Sequence, residues 1–186
     1  MKIYKSTDRT QLTEHFNVSE FKCKCGGNHD TKLDEALVQK LEQLHKALNC
    51  SKIIVNSGYR CCAHDKAVGG NGSGQHTKGN AADIVCYDKN GKKISSKVVC
   101  CAAQDIDFGG IANIDSTYTA THVDTRTSNK WFGDEVVTSA YSVCSDFYGY
   151  YKLSNADVYG TTASKKSKNI TLIIDGTTYS GTINEK

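Results

Sequence analysis

The sequence predicts a domain that contains both α-helices and β-strands. Leucines recur at intervals of three and four residues between positions 31 and 50, which is the period of an amphipathic helix. The short runs "KIIVNS" and "AADIVCYD" have the length and the apolar content of buried strands. The segment "SSKVVCCAAQDID" begins with serines, which cap helices, and it predicts a second helix. With 186 residues, the chain can bury one sizeable core.

Glycine and polar clusters between these elements indicate loops and turns. The first 30 residues end in the loop signal "CKCGGNHD", and the leucine-rich helix follows. The first strand runs into a loop that ends in an arginine, "SGYR", and "CCAHDKAVGG" is typical of a short helix stopped by glycines. "NGSGQHTKGN" indicates a loop and "KNG" a turn, while "GGIANI" and "TYTATHVDTR" predict two more strands.

The last third of the chain has a different composition. From Val136 onward it is rich in tyrosine, threonine and serine, and two β-prone runs flank a "DG" pair near its end. This pattern predicts a β-hairpin. We therefore expect a first domain over residues 1–135 and a β-rich extension over residues 136–186. The extension either adds to the main sheet or forms a small appended unit.

Charge and hydropathy exclude two classes of partner. The 23 basic and 20 acidic residues give a formal net charge of +3, which is too small to indicate a nucleic-acid-binding protein. The sequence has no apolar run of 18 residues or more, and its first residues lack the apolar core of a signal peptide. We therefore expect no membrane partner and synthesis in the cytoplasm without a signal peptide.

The nine cysteines do not form a disulfide pattern. The number is odd, and no C-x-x-C pair indicates a four-cysteine zinc ribbon. The adjacent pairs Cys61–Cys62 and Cys100–Cys101 are typical of small buried residues on helices, so we expect reduced thiols. Cys23, Cys25 and His29 could form a second metal site, but their irregular spacing favours an incidental loop.

Three side chains near loop-to-strand boundaries are candidate zinc ligands. A catalytic zinc site needs three nitrogen or carboxylate ligands and one open position for water, and His76, Asp83 and His122 supply such a set. Glycines near His76 let its loop approach closely, while Ala81 and Ala82 leave space around a metal. On residue types and spacing alone, a surface loop with no metal is the alternative.

A second carboxylate follows the last candidate ligand. His122 and Asp124 are two residues apart in a strand-like segment, so their side chains point to the same face. Asp124 is therefore expected near any metal that His122 binds.

The three segments "SGYRCCAHDKAVGG", "SGQHTKGNAADI" and "THVDTR", in this order, resemble the zinc D-alanyl-D-alanine carboxypeptidase family of peptidoglycan peptidases. That family includes phage endolysins and vancomycin-resistance dipeptidases, and it shares a fold with the hedgehog signalling domain. The opening "HFNVSEFKCKCGG" and Trp131 resemble the branch that phages often carry. The resemblance covers about residues 14–132.

The resemblance implies a small α+β fold with a central antiparallel sheet flanked by helices. It implies that His76, Asp83 and His122 bind Zn²⁺, and that Arg60 pairs with a carboxylate or carbonyl of the substrate. Several relatives carry an acidic general base three positions before the second histidine. This chain has Thr119 there.

Without that acidic residue, the general base is open between two aspartates. Asp124 is our first assignment, because it shares a strand face with His122 and could hold the metal-bound water at hydrogen-bond distance. Asp115, in the preceding loop, is the second candidate. Asp124 could instead orient His122 through a hydrogen bond.

The predicted function is hydrolysis of peptidoglycan stem peptides by a zinc peptidase of the phage-lysin type, either a D,D-carboxypeptidase or an endopeptidase. The alternative is a non-catalytic, zinc-containing module of the same fold that binds the cell wall. We expect a peptidoglycan peptide as the substrate, no nucleic-acid partner, a monomer, and action at the bacterial cell wall.

Overall fold

A five-stranded sheet forms the centre of the protein. The computed structural model describes residues 1–160 and the two strands at 167–174 and 177–184. Strands β1 (Lys2–Tyr4) and β2 (Thr31–Leu33) pair with each other near the N-terminus. The central sheet has the order β3-β4-β6-β5-β7, and its strands are β3 (Lys52–Ser57), β4 (Ala81–Tyr87), β5 (Gly110–Asn113), β6 (Thr121–Asp124) and β7 (Trp131–Asp134).

The predicted α+β class with a central antiparallel sheet is confirmed. Three of the four strand pairs in this sheet, β3–β4, β4–β6 and β6–β5, are antiparallel. The edge strand β7 is an addition that the sequence did not predict, and it runs parallel to β5. Six helices accompany the sheet in the described part of the chain: α1 (Glu35–Ala47), α2 (Cys62–Ala67), α3 (Gln75–Lys78), α4 (Ser96–Asp105), α5 (Phe147–Tyr151) and α6 (Asn155–Tyr159).

The leucine pattern predicts helix α1, but the helix begins at Glu35, after the first leucine of the pattern. The side chain of Asp34 caps it by accepting a hydrogen bond from the backbone N–H of Ala36. Leu37, Leu41 and Leu44 are fully buried, as an amphipathic stripe requires. Residues 31–33, which the leucine pattern assigns to the helix, instead form β2, because they pair with β1.

Helices α1 and α4 cover one face of the sheet. The side chain of Ser95 caps α4, as predicted, and Val99 and Cys100 of this helix are buried. They share one core with the sheet residues Ala82 and Val123. Because side chains alternate along a strand, the residues next to Ala82 and Val123 point to the opposite face. That opposite face carries the candidate ligands.

The cysteines divide into a buried and an accessible group. Cys100 and its neighbour Cys101 are buried on α4, which confirms the interpretation of that pair. For Cys61 and Cys62 the same interpretation is wrong, because Cys61 caps the start of α2 and Cys62 is exposed. All nine cysteines have free thiols in the structure.

The segment "NGSGQHTKGN" contains helix α3, although its composition predicted a loop throughout. The side chain of Thr77 donates a hydrogen bond to the backbone oxygen of Gly74, and Gly79 ends the helix with a φ of 81°. A helix of four residues is too short to show a periodic pattern, so the glycines dominated the prediction.

The chain after β7 is partly helical. Helices α5 and α6 contribute Phe147 and Val158 to the main core. The predicted hairpin is present as β8 (Ser167–Ile174) and β9 (Thr177–Asn184), which pair antiparallel in a sheet of their own. Its "DG" turn lies outside the described residues. The domain boundary at residue 135 stays a prediction. Of the helices that the structure describes, none is long and apolar enough to cross a bilayer.

Candidate metal centre

The pairing of β4 with β6 brings two of the candidate ligands together. Asp83 and His122 are directly opposite each other across this antiparallel pair. Side chains of opposite residues lie next to each other on the same face of a sheet. Asp124, two residues beyond His122, shares this face and lies opposite Ala81. The small side chain of Ala112, next to His122 on β5, leaves the face open above the ligands.

The third ligand, His76, reaches the sheet from helix α3. Gly79 has a left-handed conformation, and a Cβ atom on it would lie 2.4 Å from the backbone oxygen of Lys32. Only glycine therefore allows the chain to turn directly from α3 into β4. The Nδ1–H of His76 donates a hydrogen bond of 2.7 Å to the backbone oxygen of Gly58. This bond orients the ring and leaves Nε2 free to bind a metal.

The three ligand atoms converge at one point. His76 Nε2 lies 3.2 Å from Asp83 Oδ1 and 3.3 Å from His122 Nδ1, and the last two atoms are 2.9 Å apart. All three residues are buried. Ligand atoms at zinc-bonding distance in a tetrahedral site are separated by about 3.3 Å. The three side chains therefore fit a single zinc ion in chemistry and in spacing.

Arg60 contacts the ligand carboxylate directly. Its Nη2 donates a hydrogen bond to Asp83 Oδ2, the oxygen that faces away from the two histidines. Its Nε donates to Ser57 Oγ at 2.7 Å, and Nη1 lies 3.5 Å from Asp65 Oδ1. A guanidinium has five N–H donors, so donors are left for a substrate. Arg60 also lines the open side of the site.

The pKa values of the site residues indicate an excess of negative charge. Burial alone would raise the pKa of Asp83, but hydrogen bonds from His122 and His76 outweigh burial and hold that pKa well below its ordinary value. Burial alone would lower the pKa of His122, but hydrogen bonds to Asp124 and Asp83 raise it to about 9. A site that favours an extra proton so strongly also favours a cation in its place.

Asp124 lies on the far side of the His122 ring. Its Oδ2 accepts a hydrogen bond of 3.1 Å from His122 Nε2, whereas the ligand atom is Nδ1. Asp124 is fully buried and also accepts hydrogen bonds from the backbone N–H and the Nε–H of Arg126. A Cβ atom on Gly110 would lie 2.1 Å from Asp124 Oδ2, so the glycine leaves room for the carboxylate. These contacts favour the orienting role, while the assignment of Asp124 as the base stays a prediction.

The second base candidate, Asp115, organises its own loop. Its carboxylate accepts hydrogen bonds from the backbone N–H groups of Thr119 and Ala120 and from the side chain of Thr117. Thr119, which stands at the position of the missing acid, also donates its hydroxyl to Asp115. The carboxylate is therefore used to hold the turn that leads into β6.

The three candidate ligands lie in an open cleft with a volume of about 680 Å³. Trp131 forms part of its wall, with its ring 5.8 Å from the ring of His122 in an edge-to-face arrangement. Glu135 also lines the cleft, just beyond β7. No pattern in the sequence pointed to Glu135, because it belongs to no motif and its distance from His122 along the chain is not regular.

Two histidines and an aspartate that converge in an open cleft are a ligand set that metal-dependent hydrolases use. The family profile of peptidase M15 matches residues 14–124, well over half of the chain, and the chain belongs to this family. Members are zinc-dependent peptidases. The match includes Arg60 and all three ligand residues but ends before Trp131 and Glu135. Comparison with the curated proteins gives no match to the chain.

We predict that His76→Ala, Asp83→Ala and His122→Ala each lose one equivalent of bound zinc, because two ligands do not hold the ion against exchange into water. Elemental analysis of the purified, desalted variants measures this. The exposed Asp157 provides a matched control, and Asp157→Ala should keep the wild-type zinc content. Full zinc occupancy in one of the three variants would remove that residue from the site.

Asp124→Asn is predicted to weaken zinc binding by about 10- to 100-fold, since the neutral amide no longer fixes the His122 ring through a charged hydrogen bond. Zinc titration monitored by a competing chelator gives the affinity. Excess zinc should restore peptidase activity if Asp124 only orients His122. A turnover that stays about 100-fold low at saturating zinc would instead assign the base to Asp124.

Proposed function

We propose that this protein is a zinc peptidase that hydrolyses the stem peptides of bacterial peptidoglycan. The observation that carries the proposal is the convergence of His76 Nε2, Asp83 Oδ1 and His122 Nδ1 at the base of an open cleft. Membership of the peptidase M15 family supports a peptide substrate. The sequence resemblance to phage lysins supports peptidoglycan as the source of that peptide.

Zinc bound to these ligands would supply a Lewis acid that polarises the scissile carbonyl and lowers the pKa of bound water toward ~7. The protein holds the ligands in place for this chemistry. Asp124 and Gly58 each accept the N–H on the outer nitrogen of a ligand histidine, and Arg60 binds the outer oxygen of Asp83. All three ligands are therefore fixed from behind, which maintains their geometry while a substrate enters.

Arg60 contacts Asp83 and is also positioned to bind the substrate. Its side chain is 17% exposed and faces the cleft, so its remaining N–H donors can reach a carboxylate or carbonyl oxygen of the peptide. The planar guanidinium suits such a paired contact better than the ammonium of lysine. Arg126, the other arginine that lines the cleft, is bound to Asp124 instead.

Glu135 is the carboxylate best placed to move protons. Three carboxylate residues line the cleft among the described residues, and Asp83 is a ligand. Asp65 is buried and accepts hydrogen bonds from Arg60 and from the backbone N–H of Gly72. Glu135 keeps contact with solvent, but the cleft walls partly exclude water and raise its pKa. A carboxylate with a raised pKa suits a general base that later protonates the leaving amine.

The alternative is a non-catalytic zinc module of the same fold that binds the cell wall. The observation that favours it is Thr119, which stands where several relatives carry the catalytic acid and which contacts Asp115 rather than the cleft. Glu135 favours the catalytic function over this alternative. It follows β7 and places a carboxylate in the cleft, whereas Thr119 precedes β6.

Turnover of purified stem peptides separates the two functions. The substrates are a peptide that ends in D-alanyl-D-alanine, a cross-linked dimer, and a peptide that contains the L-alanyl-D-glutamate bond. We expect cleavage of one of them, loss of cleavage with a chelator, and recovery on addition of zinc. His122→Ala is the negative control. Binding of the peptides with bound zinc and no cleavage would establish the non-catalytic module.

We propose further that the protein is a lysin of the phage type that acts at the bacterial cell wall. Nine free thiols are consistent with synthesis in a reducing cytoplasm. Release of soluble fragments from purified cell walls, compared with His122→Ala, tests this part of the proposal.

Glu135→Gln is predicted to lower turnover by roughly 100-fold or more with zinc content unchanged, because the amide cannot accept a proton. The pH profile supplies a second readout, since the acidic limb set by Glu135 should disappear. Glu14→Gln, at an exposed glutamate that does not line the cleft, is the matched control and should keep the wild-type profile. Wild-type turnover in Glu135→Gln would exclude Glu135 as the base.

Arg60→Lys is predicted to raise KM by about 10-fold or more at saturating zinc, since one charge-assisted hydrogen bond to the substrate contributes about 1.5–3 kcal/mol. Because Arg60 also contacts Asp83, zinc must be saturating in the assay. An unchanged KM with weakened zinc binding would show that Arg60 serves only the metal ligand.

A further inference from the structure

A second cluster of metal-binding side chains lies outside the cleft. The sulfur atoms of Cys23, Cys25 and Cys61 all lie within 4.8 Å of one another. Cys25 Sγ and Cys61 Sγ are 3.9 Å apart, and Cys23 Sγ is 3.3 Å from Nδ1 of His64. The first two cysteines follow a short 3-10 helix, whereas Cys61 and His64 belong to the start of α2. The fold therefore brings together two pairs that are far apart in the sequence.

Backbone N–H groups point at each sulfur of the cluster. Gly27 N–H donates to Cys25 Sγ at 3.3 Å, Cys61 N–H donates to Cys23 Sγ at 3.3 Å, and His64 N–H donates to Cys61 Sγ at 3.4 Å. Hydrogen bonds to a sulfur favour its thiolate form, which is the form that binds metals. Such bonds to all three sulfurs distinguish this cluster from an incidental meeting of thiols.

Two of the separations in this cluster are close to those of a tetrahedral zinc site, which His64 would complete by moving toward the three sulfurs. With Zn–S bonds of about 2.3 Å, two sulfurs of such a site are about 3.8 Å apart, and a sulfur and a histidine nitrogen are about 3.6 Å apart. The observed separations are 3.9 Å for Cys25 and Cys61 and 3.3 Å for Cys23 and His64. A disulfide bond is about 2.0 Å long, so the sulfurs are not placed as a bonded pair.

We propose that Cys23, Cys25, Cys61 and His64 bind a second zinc ion, which has a structural role. Four protein ligands leave no position for water, and three cysteines with one histidine are a common ligand set of structural zinc. The site does not depend on the proposed peptidase activity. The sequence suggested His29 with Cys23 and Cys25, and its side chain also contacts Cys25, but His29 is exposed. We take His64 as the fourth ligand, because it is less exposed and its Nδ1 lies 3.3 Å from Cys23 Sγ.

The position of this zinc would connect the N-terminal segment to the active site. Cys61 directly follows Arg60, the residue assigned to the substrate. Phe21 O accepts a hydrogen bond from Tyr59 N–H, and a Cβ atom on Gly58 would lie 2.7 Å from Phe21 Cα. The same Gly58 accepts the hydrogen bond that fixes His76. A metal that joins the two segments would therefore hold in place the loop that carries both contacts.

X-ray absorption at the zinc edge tests the proposal without any activity measurement. In Asp83→Ala, which lacks the ion of the cleft, we expect one zinc per chain with three sulfur neighbours at about 2.3 Å and one nitrogen at about 2.0–2.1 Å. The wild-type protein should hold two zinc ions with an average of one and a half sulfur neighbours each. The wild-type measurement keeps the test valid if Asp83→Ala does not fold.

Matched variants identify the ligands. Cys25→Ser and His64→Ala should each lose the sulfur-bound zinc. Cys62 is an exposed neighbour of the cluster, and the control variants Cys62→Ser and His29→Ala should keep this zinc. Zinc with nitrogen and oxygen neighbours only would overturn the proposal, as would a disulfide between these cysteines in the mass spectrum after alkylation without reductant. Loss of zinc in His29→Ala but not in His64→Ala would overturn the assignment of the fourth ligand.

Discussion

The register between β4 and β6 is the constraint on which the proposed metal centre depends. This register places Asp83 directly opposite His122, so that two of the three ligands meet on one face of the sheet. A slip by one residue would turn one strand's ligand toward the core. The residues Ala82, Ile84 and Val123 oppose such a slip, because they are fully buried on the other face and would become exposed to the cleft. The packing of the core under α1 and α4 therefore also fixes the geometry of the ligands.

The sequence predicted those parts of the protein in which local pattern and tertiary structure agree. The leucines of α1, the serine cap of α4 and the apolar strand β4 each have a periodicity or a cap that determines one outcome. The meeting of His76, Asp83 and His122 was also predicted, since their residue types and order resemble a known family, and the structure brings them together. Their role as zinc ligands stays a prediction. The position of Asp124 on the face of His122 followed from the two-residue period of a strand.

The features that sequence did not predict arise from contacts between distant segments. Helix α3 has only four residues, and the glycines that flank it favour a loop prediction. Glu135 enters the cleft because β7 adds to the sheet in parallel with β5, a pairing that no local pattern specifies. His64 meets Cys23 only after Phe21 packs against the segment that follows β3. In each case the information lies in the tertiary arrangement.

Anomalous diffraction from crystals, recorded above and below the zinc absorption edge, tests the central claim most directly. The account predicts a peak bonded to His76 Nε2, Asp83 Oδ1 and His122 Nδ1, with the outer nitrogen of His122 still bonded to Asp124. The absence of a peak between these three side chains would contradict the assignment of the metal centre. A zinc ion bonded to His122 through Nε2 would contradict the role of Asp124, because that nitrogen must then leave the carboxylate.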